Sequence, residues 1–537
     1  MDARRSTARD FRRLPSAEDQ RKQMSGQIPP SRPRVTAGLL IFLSAFLVYL
    51  LTLNSVWATD HTTSFLQLDW SIWTHHSFAL GSGSGGFQPN SVDDFEFDGN
   101  YFSALAPGTA VLALPFVGVG FALDGHFTVF GYAMLASEVF VALANSVAAY
   151  LVYALGRFFF AKRTSALLAF AYAFSTISWP FATYFFQSDV SAMFDLLAVY
   201  FVVRATRDGR LRDAVLAGLS IATALTTDYV NAILIPILGG YFVLSLHGWG
   251  RRRLAWLSAG FLLASLVGVL LVGLYNDAIF GTPFHTTEQV YLGSSTPLGE
   301  FSTPLYLGVY INLFSPLRGL FLFTIFLVLG VFGLARMLRH GRYEREGLLL
   351  LACFLGIFLP YSAWYDVVGG AAFGPRFLVS AIPFLIVPAG LVIEEGGRAM
   401  RALAFVLYAV GAVINGVGAV TSVLAPTTSY GLSPFLDATL PSFLKGGIDV
   451  WWLSFVHGYW PLPAGLVIAA ALAIPVVSDR ALSGRAGWRG LKVRRWVKKR
   501  SKKEEEEERQ PTSPPGLDAD DGPPTGDRDP ASGPHWV

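Results

Sequence analysis

One cysteine in 537 residues, Cys353, is all the sequence has for sulfur bridging. That excludes an intramolecular disulfide and a thiolate metal cluster. It sits inside an apolar run and reads as a small buried residue. Charge is also scarce: 15% of residues are Asp, Glu, Lys or Arg, against 53% apolar. Length alone would allow several soluble domains, but this composition excludes them, and apolar runs long enough to cross a bilayer recur almost to the end. No Gly-rich stretch is followed by a Lys-Ser/Thr helix start, since GSGSGG (Gly81–Gly86) reads as a flexible linker. No basic–aromatic patch suggests nucleic acid, and no internal repeat suggests the inverted halves of a transporter.

A further absence is local. Residues Asn54–Pro115 contain no Lys or Arg, yet carry Asp60, Asp69, Asp93, Asp94, Glu96 and Asp98 among Trp57, Trp70, Trp73, Tyr101 and Phe102. An acidic, aromatic loop between hydrophobic segments suggests a site where membrane meets water.

The expected fold is all-α: a polytopic membrane protein of about 12 transmembrane helices with a long first outer loop, 54–126, carrying interfacial helices. Spans are expected at roughly 35–53, 127–155, 164–180, 188–203, 213–228, 230–247, 254–280, 318–338, 347–363, 377–395, 402–424 and 459–478. The first reads as an uncleaved signal-anchor. Leu105–Leu123 is hydrophobic enough to cross, but crossing would place every later basic loop outside. With Pro107, Gly108 and Pro115 it reads instead as a broken, half-buried interfacial helix. The basic clusters Arg157/Lys162/Arg163, Arg204/Arg207/Arg210/Arg212, Arg251–Arg253, Arg336/Arg339/Arg342/Arg345 and Arg398/Arg401 then fall inside, leaving Arg318, Arg376 and Lys445 outside. Residues 1–34 read as a disordered basic tail, 35–478 as the membrane domain, and 479–537 as a polar, largely disordered tail, with both termini cytoplasmic. The location that follows is the plasma membrane.

Carboxylates collect at outer span ends: Asp60, Asp189, Asp228 and Asp366. An ionised Asp in hydrocarbon costs several kcal/mol, so each must reach water or a partner. Asp93, Asp94, Asp98, Asp437 and Asp449 read as solvated loop acids, and His61, His75 and His76 as solvated interfacial histidines without metal-binding spacing. Asp60, at the mouth of the first span beside aromatics, reads as functional. Arg376 opens a span after a Gly-rich stretch, which suits anion binding; Arg318 also opens a span, with snorkelling as its alternative role.

These features resemble the GT-C superfamily of membrane glycosyltransferases. The likeness is carried by the Asp after the first span, FDGNYFSALAPGTAVLALPF (Phe97–Phe116), GRFFFAKR (Gly156–Arg163), YNDAIFGTPF (Tyr275–Phe284), SPLRGL (Ser315–Leu320) and GGAAFGPRFL (Gly369–Leu378). It covers most of 35–478 and is similar to protein O-mannosyltransferases, aminoarabinose transferases and Rgt-type lipopolysaccharide glycosyltransferases. The resemblance implies a sugar donor on a polyprenyl phosphate, used on the outer side, and a hydroxyl-bearing glycan, lipid or protein as acceptor. It implies Asp60 as the base of an inverting transfer, Arg376 and Arg318 at the donor phosphate, and Asp189, Tyr101, Tyr365 and Asp366 as substrate-binding positions. No cofactor or divalent metal is implied. Many protein O-mannosyltransferases carry an Asp-Glu pair in this loop; here His61 follows Asp60. Two alternatives stay open: a transporter or flippase of a lipid-linked sugar, and a polymerase or ligase using a lipid diphosphate.

Overall fold

A computed structural model describes residues 35–54, 59–82, 91–128, 131–246, 250–293, 299–339, 343–422, 433–455 and 462–478. The expected tails, and residues 83–86 of the Gly-rich linker, lie outside the described residues.

Helix α1, Val35–Leu50, shows how apolar sequence sorts itself. Ile41, Ala45, Val48 and Tyr49 are buried at helical spacing, whereas Leu39, Leu40, Leu43 and Leu47 are exposed. One stripe packs on protein; the other is apolar with no protein against it, as a lipid-facing surface requires. Tyr49 donates its hydroxyl to the Ala173 carbonyl (2.9 Å), satisfying the one polar atom on the packed side.

The first loop is more ordered than a surface linker. Helix α2, Asp60–His75, is capped by Thr59, whose hydroxyl accepts from Thr62 N (3.0 Å). Three short strands follow, β1 (Gly81–Ser82), β2 (Asp94–Phe97) and β3 (Asn100–Ser103), in the antiparallel order β1-β3-β2. Asp98 and Gly99 turn between β2 and β3 with φ of 49° and 72°, the Asp-Gly chemistry a two-residue hairpin demands. This sheet is a local exception to the all-α expectation. Helix α3, Gly108–Asp124, corrects another detail: Pro115 lies inside it without breaking it. A Cβ on Gly108 would strike the Thr226 backbone, and one on Gly120 the Ala133 backbone, so glycine permits both close approaches. Asp124 then caps the next helix, accepting from Tyr132 N (2.9 Å) and Ala133 N (3.0 Å).

The bundle continues with α4 (Tyr132–Gly156), α5 (Lys162–Phe174), α6 (Gln187–Asp208), α7 (Leu211–Thr227), α8 (Leu234–Leu246) and α9 (Arg251–Phe280). After shorter helical pieces come α10 (Leu327–Arg339), α11 (Glu344–Ala363), α12 (Ile382–Glu395), α13 (Gly397–Val420) and α14 (Leu462–Ser478). Each expected span falls on helix, although the one expected at 164–180 is interrupted at 175–177 and the one at 318–338 at Thr324. Among the described residues six helical stretches are long and apolar enough to cross a membrane: 132–156, 229–246, 251–280, 344–363, 376–395 and 397–420. Their burial separates core from wall. The most apolar window is 83% buried in 376–395 and 22% buried in 251–280.

Candidate active site

The first turn of α2 organises one end of the bundle. Asp60 is its first residue and is exposed. Its backbone carbonyl accepts from Ser91 Oγ (2.9 Å), and Ser91 Oγ in turn accepts from Asp93 N (2.9 Å). Ser91 therefore pins the strand-bearing part of the loop to the helix start. His61 is turned inward, 8% exposed, with Nδ1 2.6 Å from Asp93 Oδ2. One turn on, Ser64 donates to Asp94 Oδ1 (2.7 Å) and shares a 2.7 Å hydrogen bond with Ser103.

Two adjacent carboxylates thus acquire opposite characters. Burial pushes Asp94 up to about 7; Ser64 and the Ser91 backbone oppose this, and the charges of Asp93 and Asp60 add to it. Burial also pushes Asp93 up, but the charge and hydrogen bonding of His61, with Arg376 behind them, hold it below the usual carboxylate range.

Arg376 opens the 3-10 turn that leads into α12. Its guanidinium carbon lies 4.8 Å from the Phe377 ring centroid and 5.7 Å from that of Phe186. Phe186 also packs on His61, with centroids 5.3 Å apart, so one ring joins the His61–Asp93 pair to the arginine. Asp93, Asp366, Tyr361 and Tyr365 are within electrostatic reach of Arg376, and its Nε is buried without a hydrogen-bond partner among the described residues. Behind it, Tyr361 stacks on Phe377 (4.8 Å, 4°) and donates to Asp228 Oδ2 (2.5 Å).

Arg318 has a different place. It is completely buried, and its guanidinium donates to the carbonyls of Val368 (2.8 Å), Gly370 (2.7 Å) and Leu317 (3.3 Å). It fixes the turn at Gly369 and Gly370, whose φ of 69° and 62° suit glycine, just ahead of Arg376. Asp366 opens that turn and is half-buried, its carbonyl accepting from Gly369 N (2.9 Å). Exposed Tyr365 is anchored by its N–H to Glu300 O (2.8 Å). Burial, with Tyr291, Asp366, Glu288 and Asp93 nearby, pushes its phenol up to about 12.

Asp189 and Tyr101 are placed elsewhere. Asp189 is fully buried, accepting from Ser178 Oγ (2.9 Å), while Asn145 donates to the Ser178 carbonyl (3.0 Å). An open substrate-binding position does not describe it. Tyr101 pairs with Glu96 across the small sheet and donates to Glu96 Oε2 (3.4 Å). The structure adds His61, Asp93, Asp94 and Ser64, which sequence reasoning had left as solvated loop residues or passed over. One signal was available: acids in a segment with no Lys or Arg must find partners within it or across the fold. Among the described residues no group of three or more His, Cys, Asp or Glu side chains is arranged to hold a metal.

The fold has counterparts among solved membrane proteins. ArnT from Cupriavidus metallidurans in the apo state is similar to the chain with a TM-score of 0.50 and 16% identity, over 82% of this chain and 75% of that one. The same enzyme bound to undecaprenyl phosphate gives 0.49 and 16%, over 83% and 77%. The archaeal oligosaccharyltransferase AglB from Archaeoglobus fulgidus, in complex with an inhibitory peptide and a dolichol-phosphate, gives 0.47 and 13%, over 71% and 54%. In sequence, residues 115–272 match the family described as dolichyl-phosphate-mannose-protein mannosyltransferase. No curated protein matches the sequence.

Proposed function

We propose that the chain is a glycosyltransferase moving a sugar from a polyprenyl phosphate to a hydroxyl acceptor, with inversion, at the first-loop end of the bundle and on the outer face of the plasma membrane. The observation that supports this is a contact chain from the helix start at exposed Asp60, through His61 and Phe186, to Arg376. His61, which follows Asp60, pairs with Asp93 and packs on Phe186, and Phe186 lies 5.7 Å from the Arg376 guanidinium carbon. The family match and the shared fold support the donor class.

The acceptor oxygen attacks the anomeric carbon as Asp60 takes its proton. The bond from that carbon to the phosphate oxygen breaks, and polyprenyl phosphate leaves with its electron pair. Arg376 meets the charge that develops on the leaving group; Phe186 and Phe377 exclude water from its guanidinium and strengthen that interaction. Arg318 acts by positioning, through the 368–370 turn, rather than by touching the phosphate. Asp93, kept ionised by His61, holds Arg376 toward the rim. Asp366 and Tyr365 border the same rim and are assigned to substrate contact.

The test is incubation of the purified protein with a panel of polyprenyl monophosphate and diphosphate sugars. Release of polyprenyl monophosphate together with glycosylated acceptor is expected. Release of diphosphate would make it a diphosphate-dependent polymerase or ligase, and sugar-lipid translocation without release would make it a flippase.

A further inference from the structure

At the end of α9 away from the rim, the structure has a recess of about 560 Å³ between the close of α6 and the start of α9. Gly209, Arg251, Arg252, Arg253, Trp256 and Leu257 line it, and no carboxylate is among its lining residues. Its three arginines are not equivalent. Arg253 donates to the carbonyls of Gly209 (3.2 Å) and Asp208 (3.5 Å), tying α9 to the end of α6. Gly209 permits this: its φ is +65°, and a Cβ there would collide with the Arg253 guanidinium. The Asp208 carboxylate is engaged by Arg204 and Arg210 and leaves the recess unneutralised. Arg251 and Arg252 are exposed and, among the described residues, have no hydrogen-bond or ion-pair partner.

What lies beside these cations identifies their ligand. Trp256, one turn after Arg252, is 59% exposed. Beyond it Leu262, Leu263, Leu266 and Leu270 form an exposed apolar face along the least buried of the six long helices. Cations, then an interfacial tryptophan, then a hydrocarbon wall reproduce the order of chemistry in a phospholipid: phosphate, glycerol ester, acyl chain.

We propose that this recess binds the phosphate headgroup of an anionic phospholipid of the bilayer, with Arg251 and Arg252 as the phosphate ligands and the leucine face of α9 receiving an acyl chain. The site is separate from the rim of Asp60 and Arg376 and does not depend on the transfer reaction. A guanidinium meets a phosphate diester with paired N–H donors, a geometry that a zwitterionic headgroup weakens through its own cation.

The experiment uses the full chain, purified in neutral detergent. Thermal midpoint and the number of lipids retained in native mass spectra are measured with phosphatidylglycerol, with phosphatidylcholine of the same chains, and with free glycerol phosphate. Phosphatidylglycerol should raise the midpoint and be retained; the other two should do neither. The pair Arg251→Gln/Arg252→Gln should lower apparent phosphatidylglycerol affinity by roughly tenfold or more. Because both side chains are exposed, the lipid-free midpoint should not move; Arg251→Gln alone serves if the pair fails to fold. Arg251→Lys/Arg252→Lys should keep only part of the affinity, because an ammonium retains the charge but lacks the paired donors. Equal response to phosphatidylcholine, or full retention by the Gln variant, would overturn the site. A full response to glycerol phosphate would make it a soluble-phosphate site and overturn the assignment to lipid.

Discussion

Asp60 and Asp189 are the same residue in nearly the same local setting, each in the first turn of a helix that begins after an irregular segment. Helix-start acids are favoured by the macrodipole, so the helix itself does not tell them apart. Their surroundings do. Around Asp189 the chain supplies Ser178 and, behind it, Asn145, and closes completely. Around Asp60, among the described residues, the hydrogen bond is from the Ser91 hydroxyl to its backbone carbonyl, leaving the carboxylate exposed beside an inward-turned His61. Asp189 is enclosed by the fold, with Oδ1 on Ser178 and Oδ2 buried without a partner among the described residues, so it is closed to a substrate; a carboxylate exposed at a helix start is open to one.

The sharpest way to break this contrast is to neutralise each acid. Asp60→Asn should lower turnover with a hydroxyl acceptor by about 10²–10⁴-fold, with thermal midpoint and donor binding unchanged. Asp189→Asn should leave turnover within a few-fold, since the amide oxygen still accepts from Ser178. A transfer assay on both variants, normalised to folded protein, decides between them; the reverse ranking would move the base to α6.

Next in size is Arg376. Arg376→Ala should cost about 10²–10³-fold in turnover. Arg376→Lys should recover part of that, because an ammonium lacks the fork and stacks less well between Phe186 and Phe377. Unchanged release of lipid phosphate from the alanine variant would reduce Arg376 to a membrane anchor.

The smallest effect concerns Asp94. Its carboxyl titrates near 7 in the folded chain, above its ordinary 3.8. The native state then binds more protons than the unfolded one between those values, so the stability contributed is present below about pH 4 and lost as pH rises through 7. Asp94→Asn should therefore match the wild-type thermal midpoint near about pH 4 and exceed it by a growing margin toward about pH 8. A constant difference across that range would mean that Asp94 ionises normally.

Most of the bundle was legible because lipid and protein both select apolar residues at helical spacing. Each expected span falls on helix for that reason. The small sheet was less visible: its strands hold four residues or fewer, and a loop with Asp-Gly punctuation looks the same whether or not it pairs. The site divided along similar lines. Asp60 and Arg376 stood out because their charges were unexpected where they lay. Arg318 stood out for the same reason, yet its guanidinium is taken up by three carbonyls that sequence cannot reveal as neighbours. His61 and Asp93 are 32 positions apart, and only the loop's return through Ser91 brings them together.

The central claim is that Asp60 takes a proton from the acceptor, and azide tests it most directly. Azide attacks as an anion and has no proton to give up, so a general base contributes nothing to its reaction. Wild type and Asp60→Asn are compared with polyprenyl-phosphate sugar as donor, once with the hydroxyl acceptor and once with azide, reading glycosyl product by mass spectrometry. The account predicts that the variant loses about 10²–10⁴-fold with the hydroxyl while forming glycosyl azide at close to the wild-type rate. An equal loss with both nucleophiles would contradict it, leaving Asp60 a role in holding the donor or the loop and none in moving the proton.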